Sequence, residues 1–79
     1  MALNMDVKKF IEYLNQEDIN YDVDGFNSNN SFSDNGIDSL DIFTVLLKIE
    51  DDLGIKVPDS DLDNINTVDE LITYINDKL

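Results

Sequence analysis

Three segments of the chain carry apolar residues at helical spacing, and this feature constrains the fold more than any other. Side chains three and four positions apart share one face of an α-helix. The segments cover residues 7–14, about 39–53 and 68 to about 79. They predict an all-α protein. The residues predicted to face inward are Val7, Phe10, Ile11 and Leu14 in the first segment, Ile42, Val45, Leu46, Ile49 and Leu53 in the second, and Val68, Leu71, Ile72, Ile75 and Leu79 in the third.

Residues typical of helix ends stand at the borders of these segments. Asn4 or Asp6 is placed to cap the first helix, because its side-chain oxygen can accept a bond from a free backbone amide. Gly54 follows the second segment, and glycine accepts the positive φ at which many helices end. Thr67 and Glu70 have the spacing of a capping box ahead of the last helix. The borders of the helices are therefore predicted as well as their faces.

Two stretches without a long helical stripe connect the segments. Pro58 excludes a continuous helix after the second segment, and residues 59–65 are predicted to form a short helix with Leu62 and Ile65 inward. Residues 15–38 are rich in Asn, Ser, Asp and Gly and are predicted to form a long loop. The predicted architecture is a small four-helix bundle of three longer helices and one short one, forming a single domain over residues 1–79. Isolated apolar side chains are expected to tether the loop to the bundle: Ile19, Tyr21, Val23, Phe26 and Phe32.

The composition excludes several classes of function. The chain has no cysteine and no histidine, which rules out disulfides, thiolate metal sites and serine–histidine catalysis within it. Eighteen acidic residues face five lysines, for a net charge of −13. Nucleic acid and anionic membranes are therefore poor partners, whereas basic protein surfaces are good ones. The N-terminus lacks the apolar run of a signal peptide, and no stretch is long enough to span a bilayer. We expect a cytoplasmic, monomeric protein that is not an enzyme.

The second helix is apolar on two sides. Opposite its core stripe, Leu40, Phe43 and Leu47 form another line at spacings of three and four. A helix that is apolar nearly all round is either completely buried or presents a face to a partner. Complete burial is hard to arrange in a chain of 79 residues. We interpret this line as a docking face; packing of Phe43 against the long loop is the alternative.

The sequence DNGIDSLD, residues 34–41, places Ser39 at the start of the second helix. Capping by Asp38, which contributes about 1 kcal/mol, would leave Ser39 as an ordinary residue of the first turn. The start of a helix also favours a phosphate on that hydroxyl, because the backbone amides and the helix dipole attract an anion. Spacing alone permits both interpretations.

The chain resembles the acyl carrier protein family from its first helix to its last. The shared elements are a G-x-D-S-L core, an acidic stretch before LGI, an I-x-V-P-D turn and a T-V-x-E-L opening of the last helix. The resemblance implies that Ser39, flanked by Asp38 and Leu40, carries a 4′-phosphopantetheine arm. A phosphopantetheinyl transferase would take this arm from coenzyme A, and the thiol of the arm would hold an acyl or aminoacyl group as a thioester. The implied partners are acyl-loading, acyl-transfer or condensing enzymes with basic docking surfaces. Their implied contacts are Leu40, Asp41, Phe43, Thr44, Leu47, Lys48, Glu50 and Asp51.

One departure from the family pattern concerns those partners. Carriers of fatty acid synthesis commonly read D-S-L-x-x-V-E-L, whereas this chain reads D-S-L-D-I-F-T-V-L. Thr44 stands where a carboxylate is common, Phe43 is bulkier, and Lys48 lies one turn on. The pathway therefore stays open between fatty acid synthesis and a specialised polyketide, peptide, aminoacyl or surface-glycan pathway.

Residues 59–70 contain a weaker motif. Carboxylates occupy positions 1, 3, 5 and 12 of an EF-hand calcium loop, namely Asp59, Asp61, Asp63 and Glu70. Against this, Asn66 stands where an apolar residue is usual, and Pro58 breaks the helix that should enter the loop. Two alternatives to a carrier follow. The first is a calcium-binding protein that uses this segment, and the second is an acidic adaptor with Ser39 unmodified.

Overall fold

The computed structural model describes residues 4–79 and contains four α-helices in that range. They are α1 (Val7–Gln16), α2 (Ser39–Leu53), α3 (Asp59–Leu62) and α4 (Val68–Lys78). α1 packs against both α2 and α4. Between residues 4 and 79 no helix combines the length and hydropathy needed to span a bilayer. The predicted all-α bundle of three longer helices and one short helix is confirmed.

The predicted caps are present at the ends of the helices. Asp6 caps α1, where its carboxylate accepts from the backbone amide of Lys9 at 2.8 Å. Thr67 and Glu70 form the capping box of α4 through reciprocal side-chain and backbone bonds. Gly54 ends α2 in the left-handed conformation, at a φ of 69°. Local chemistry therefore sets the borders of these helices, as the sequence indicated.

The short helix is shorter than predicted. α3 ends at Leu62, and residues 63–65 continue in tighter turns whose amides donate to carbonyls three and four residues earlier. Leu62 and Ile65 are half-buried against the core, in keeping with their predicted direction. The hydroxyl of Tyr74, on α4, donates to the Asp61 carboxylate at 2.5 Å. A side-chain hydrogen bond thus ties this single turn to the bundle.

The apolar core lies between α1, α2 and α4 and is built largely from the predicted stripes. The prediction of an inward position is wrong for two residues. Leu79 is 40% exposed, because it lies beyond the last residue of α4 and is not held on the face of that helix. Val23 is 70% exposed, because the turn around it, in which the Asp22 carboxylate accepts from the Gly25 amide, turns it away from the bundle. Leu53 is half-buried, at the margin of the core.

The long loop is tethered to the bundle by its other apolar residues. α1 extends through Gln16, so the loop begins two residues later than predicted. Ile19 is buried, and Tyr21, Phe26 and Phe32 are half-buried against the core. The backbone also contributes, since the Asp69 amide of α4 donates to the Ser28 carbonyl at 3.0 Å. The loop is therefore an ordered part of the fold that leads directly into α2.

Candidate functional site

Ser39 is the first residue of α2, and its side chain is exposed. The carboxylate of Asp38 caps the helix by accepting from the Leu40 amide at 3.4 Å, and it also accepts from the Ser39 hydroxyl at 3.4 Å. Both bonds are long, so they restrain the hydroxyl only weakly. Ser39 therefore presents an accessible hydroxyl at a helix N-terminus, where the helix dipole favours an anion.

The turn that leads into α2 is set by Gly36 and Ile37. Gly36 has a φ of +76°, and a Cβ there would lie 3.2 Å from the backbone nitrogen of Asp22. Ile37 is buried, and its amide donates to the Phe32 carbonyl at 2.9 Å. The glycine lets the chain turn sharply, and the isoleucine anchors the turn in the core. Together they fix the direction in which Ser39 leaves the bundle.

A cavity of about 360 Å³ opens beside Ser39. Its walls come from α2, the region of α3 and the end of the long loop, and six apolar side chains line most of it. The sequence did not predict this cavity, because its walls are far apart along the chain. The apolar residues that line it are Phe32, Ile37, Ile42, Phe43, Leu62 and Ile65.

The predicted second apolar line of α2 lies on the surface. Leu40 is 72% exposed, Leu47 is 65% exposed and Phe43 is 44% exposed. Phe43 also borders the cavity, so part of its side chain faces solvent and part faces the space under the loop. These three residues form what we call the apolar face of α2.

Polar residues beside the apolar face make bonds within α2. The Thr44 hydroxyl donates to the Leu40 carbonyl at 3.1 Å, a bond that hydroxyls commonly make to the preceding helical turn. The Lys48 ammonium lies 3.7 Å from the Asp52 carboxylate. Asp51 is exposed and Asp41 half-exposed, so the charge along this edge is mainly negative.

Glu50 has a role that the sequence pattern did not reveal. Its carboxylate accepts from the backbone amide of Val57 at 2.6 Å, across the turn that joins α2 to α3. Val57 is buried and Glu50 half-buried. Glu50 therefore holds this turn in place. The only signal in the sequence was an acidic residue one turn before a helix-ending glycine, which is too common to be informative.

Two tyrosines bond to carboxylates on neighbouring helices. The Tyr13 hydroxyl donates to Asp52 at 3.0 Å, and burial, followed by the bond to Asp52 and its charge, raises the pKa of Tyr13 to about 12. The bond to Asp61, followed by burial and the charge of Asp61, raises the pKa of Tyr74 to about 12. Both hydroxyls therefore stay protonated at neutral pH and act as hydrogen-bond donors between helices.

The carboxylates of the EF-hand-like segment do not converge on one point. Within the part of the chain that the structure describes, no group of three or more acidic side chains is arranged to hold a metal ion. Asp61 accepts from Tyr74, and Glu70 accepts from the backbone amides of Asn66 and Thr67 at 2.9 and 3.1 Å. The segment forms α3 and a capping box where an EF-hand would form a calcium loop.

Comparison with known proteins identifies the family to which the chain belongs. The family model described as "Phosphopantetheine attachment site" matches residues 9–75. The chain belongs to this family. It therefore has the carrier role and is a site of covalent 4′-phosphopantetheine attachment, as the sequence resemblance implied. Carrier domains of this kind are generally non-catalytic, and they interact with phosphopantetheinyl transferases and synthase enzymes.

A solved structure shows the same fold. The chain is similar to octanoyl ACP, a non-natural intermediate from the actinorhodin polyketide synthase in Streptomyces coelicolor, studied in solution by NMR. The TM-score is 0.82 at 26% sequence identity, and the match covers 98% of this chain and 93% of the other. The helical bundle with its long first loop is thus the fold of an acyl carrier protein.

The surroundings of Ser39 fit a phosphopantetheine arm. The hydroxyl is open to a modifying enzyme, the helix N-terminus favours the negative charge of a phosphodiester, and the neighbouring cavity is mainly apolar. When attached, the arm supplies the thiol that the chain itself lacks, since the sequence contains no cysteine.

Proposed function

We propose that this protein is a monomeric, cytoplasmic acyl carrier with its 4′-phosphopantetheine arm on Ser39, and that it is not itself an enzyme. The observation that carries the proposal is the exposed Ser39 hydroxyl. It lies within the G-x-D-S-L sequence, at the N-terminus of α2 and beside the apolar cavity. Asp38 supports the attachment by capping the helix from which the arm leaves, and Leu40, which is exposed directly after Ser39, is proposed as a contact of the arm.

The cavity supports an acyl group with a hydrocarbon portion as the cargo. An apolar lining stabilises hydrocarbon by removing it from water. The similar Streptomyces coelicolor protein comes from the actinorhodin polyketide synthase and was studied as octanoyl ACP, a non-natural intermediate. Among the pathways that the sequence left open, this similarity makes polyketide synthesis the first to test.

The apolar face of α2 is the proposed docking surface for the partner enzymes. Leu40, Phe43 and Leu47 are exposed side by side, and Asp41 and Asp51 lie near them on the same helix. A net charge of −13 speeds encounter with basic surfaces, while the apolar side chains supply contact area. Thr44 and Lys48 lie within the same surface and are proposed as contacts that distinguish among partners.

Glu50 was also predicted as a partner contact, and its bond to Val57 supports a different role. A carboxylate that already accepts a backbone amide at 2.6 Å is less available to an incoming lysine or arginine. We therefore assign Glu50 to the turn between α2 and α3.

Loading of the arm tests the attachment residue directly. The chain is incubated with coenzyme A and a broad-specificity phosphopantetheinyl transferase, and its intact mass is measured. We expect the mass to rise by one phosphopantetheine in the wild type and to stay constant in Ser39→Ala. Ser60→Ala is the matched control, because Ser60 is also an exposed serine in the first turn of a helix. A gain that persists in Ser39→Ala, or its absence from the wild type, would refute the assignment.

A charge placed on the apolar face tests docking. Phe43→Asp is expected to slow loading by about tenfold, because truncating a central aromatic contact commonly costs 1–2 kcal/mol of binding or more. Thr73→Asp is the control, since it adds the same charge at an exposed position of α4, outside the proposed docking surface. Far-ultraviolet circular dichroism must show intact helices in both variants. Equal effects of the two variants, or loss of helix in Phe43→Asp, would contradict a docking role for Phe43.

A further inference from the structure

Asn35 is a fully buried polar residue in the loop that leads to α2. Its side chain is 0% exposed, whereas the other residues of comparable burial between positions 4 and 79 are apolar. Burial of an amide is costly unless each polar atom finds a partner. The hydrogen bonds of Asn35 therefore define its role.

The Asn35 side chain joins three positions of the long loop. Its Oδ1 accepts from the Asn27 amide at 2.8 Å, and its Nδ2 donates to the Asn27 carbonyl at 2.9 Å. The same nitrogen also donates to the carbonyls of Ser31 and Asn30, at 3.1 and 3.4 Å. The Asn35 backbone carbonyl accepts from the Asp22 amide at 2.8 Å. One residue thus connects both halves of the loop and fixes the turn that enters α2.

Glycine follows this asparagine, and the dipeptide is chemically reactive. The backbone nitrogen of Gly36 can attack the Asn35 Cγ and form a five-membered succinimide, with ammonia leaving. Water then opens the ring at either carbonyl and leaves aspartate or isoaspartate at position 35. Glycine permits this attack more readily than other residues because it has no Cβ to obstruct the approach and the greatest backbone freedom, and asparagine is a thermolabile residue for this reason.

The folded loop opposes the attack. The Gly36 nitrogen donates to the Ser33 carbonyl at 3.0 Å, so its hydrogen is engaged. The Asn35 amide is held on both its oxygen and its nitrogen. Ring formation requires both groups to leave these partners and rotate towards one another.

The product would be incompatible with the loop. A carboxylate at position 35 has no hydrogen to donate, and it would face the carbonyl oxygens of Asn27, Asn30 and Ser31 that now accept from Nδ2. The Asn27 amide could still donate to one oxygen, but a buried charge that faces three carbonyl oxygens is strongly destabilising. An isoaspartate would in addition lengthen the backbone beside Gly36.

We propose that Asn35–Gly36 is a deamidation site that the folded loop protects, and that its conversion opens the loop between α1 and α2. This loop supplies Phe32 to the wall of the cavity and Ile37 to the turn before Ser39. Loss of the Asn35 amide therefore changes the surroundings of Ser39 through the loop, while the helices stay folded.

The protection is tested on the wild-type chain. Samples are held at mildly alkaline pH with and without urea, and proteolytic peptides are analysed by mass spectrometry for conversion at Asn35. We expect conversion in urea to be faster than in the native state by about tenfold or more, the factor set by the free energy of opening the loop. Asn30, exposed in the same loop and followed by serine, is the internal reference, with similar rates in both conditions. Equal rates at Asn35 with and without urea would overturn the proposal.

The predicted opening of the loop after conversion of Asn35 is tested with Asn35→Asp and the charge control Asn30→Asp. Amide hydrogen exchange is measured at residues 22, 27 and 37, whose amides lie in the Asn35 network or just after it. We expect exchange to rise by about tenfold or more in Asn35→Asp and to change little in Asn30→Asp. Unchanged exchange in Asn35→Asp would overturn the proposal, and so would loss of α-helical circular dichroism, which would make the effect global. Neither readout depends on whether Ser39 carries the arm.

Discussion

Replacing Glu50 with alanine removes the acceptor of a buried backbone amide while leaving the surface of α2 nearly unchanged. The Glu50 carboxylate accepts from the Val57 amide at 2.6 Å, and Val57 is only 6% exposed. This bond crosses the turn between α2 and α3, which positions one wall of the cavity beside Ser39. Glu50→Ala is therefore expected to destabilise the fold without touching the docking surface.

The magnitude of the destabilisation by Glu50→Ala follows from two opposing contributions. A hydrogen bond to a charged acceptor contributes about 1.5–3 kcal/mol, and the half-exposure of Glu50 places it near the lower end. Removing an acidic residue from the last turn of a helix offsets this by about 0.3–1 kcal/mol, because the carboxyl end of the helix is already negative. The free energy of unfolding should thus fall by about 0.5–1.5 kcal/mol, which lowers the Tm of a domain of this size by roughly 2–12 °C.

Urea unfolding followed by circular dichroism measures the change, and Asp51→Ala is its control. Asp51 lies in the same turn of α2 and is exposed, so its replacement removes the same charge without breaking the Val57 bond. We expect Asp51→Ala to be neutral or slightly stabilising. Glu50→Gln should fall between Glu50→Ala and the wild type, since a neutral amide oxygen accepts a weaker bond. Equal midpoints for Glu50→Ala and Asp51→Ala would refute the assigned role.

Three further predictions concern pH, backbone conformation and calcium. The pKa of Tyr13 is raised from 10.0 to about 12, so the stabilisation linked to its protonated form is complete below pH 10 and is lost as the pH rises towards 12; Tyr13→Phe should flatten that part of a stability–pH curve measured by urea unfolding. Gly54→Ala should lower the unfolding free energy by about 1–2 kcal/mol, because φ is +69° and, among residues 4–79, no atom outside Gly54 and its two chain neighbours lies within 4 Å of the added Cβ, which leaves backbone strain as the cause; a Tm equal to that of the wild type would contradict this. Glu70→Gln should weaken the capping box with Thr67 and lower the Tm. Calorimetry of the wild type should detect no tight, stoichiometric calcium binding, so this substitution should have no calcium binding to abolish.

Much of the fold was predictable because its determinants are local. The apolar stripes name most of the core, since residues three and four apart must share a helical face. The capping box at Thr67 and Glu70 and the left-handed Gly54 depend on neighbours in sequence, and both are present as predicted. The errors at Val23 and Leu79 have the same origin. An apolar side chain is held inward only where a helix or a packed segment directs it there, and neither residue lies in one.

The candidate site was predictable in its chemistry and less so in its geometry. The G-x-D-S-L sequence identified Ser39 as the candidate residue, and the helical wheel of α2 identified Leu40, Phe43 and Leu47 as a second apolar line, which the structure exposes. Glu50 looked like one more acidic surface residue, because its partner, the Val57 amide, is reached only after the chain turns at Gly54.

The sequence by itself determined the helices, their caps, the acidic surface and the serine at the start of α2, because each depends on residues within one or two turns of one another. Only the tertiary structure decided what lies beside that serine. The cavity, the Glu50–Val57 bond and the network of Asn35 join residues from different elements. Such contacts depend on how the elements pack, and no spacing along the chain encodes which distant groups will meet.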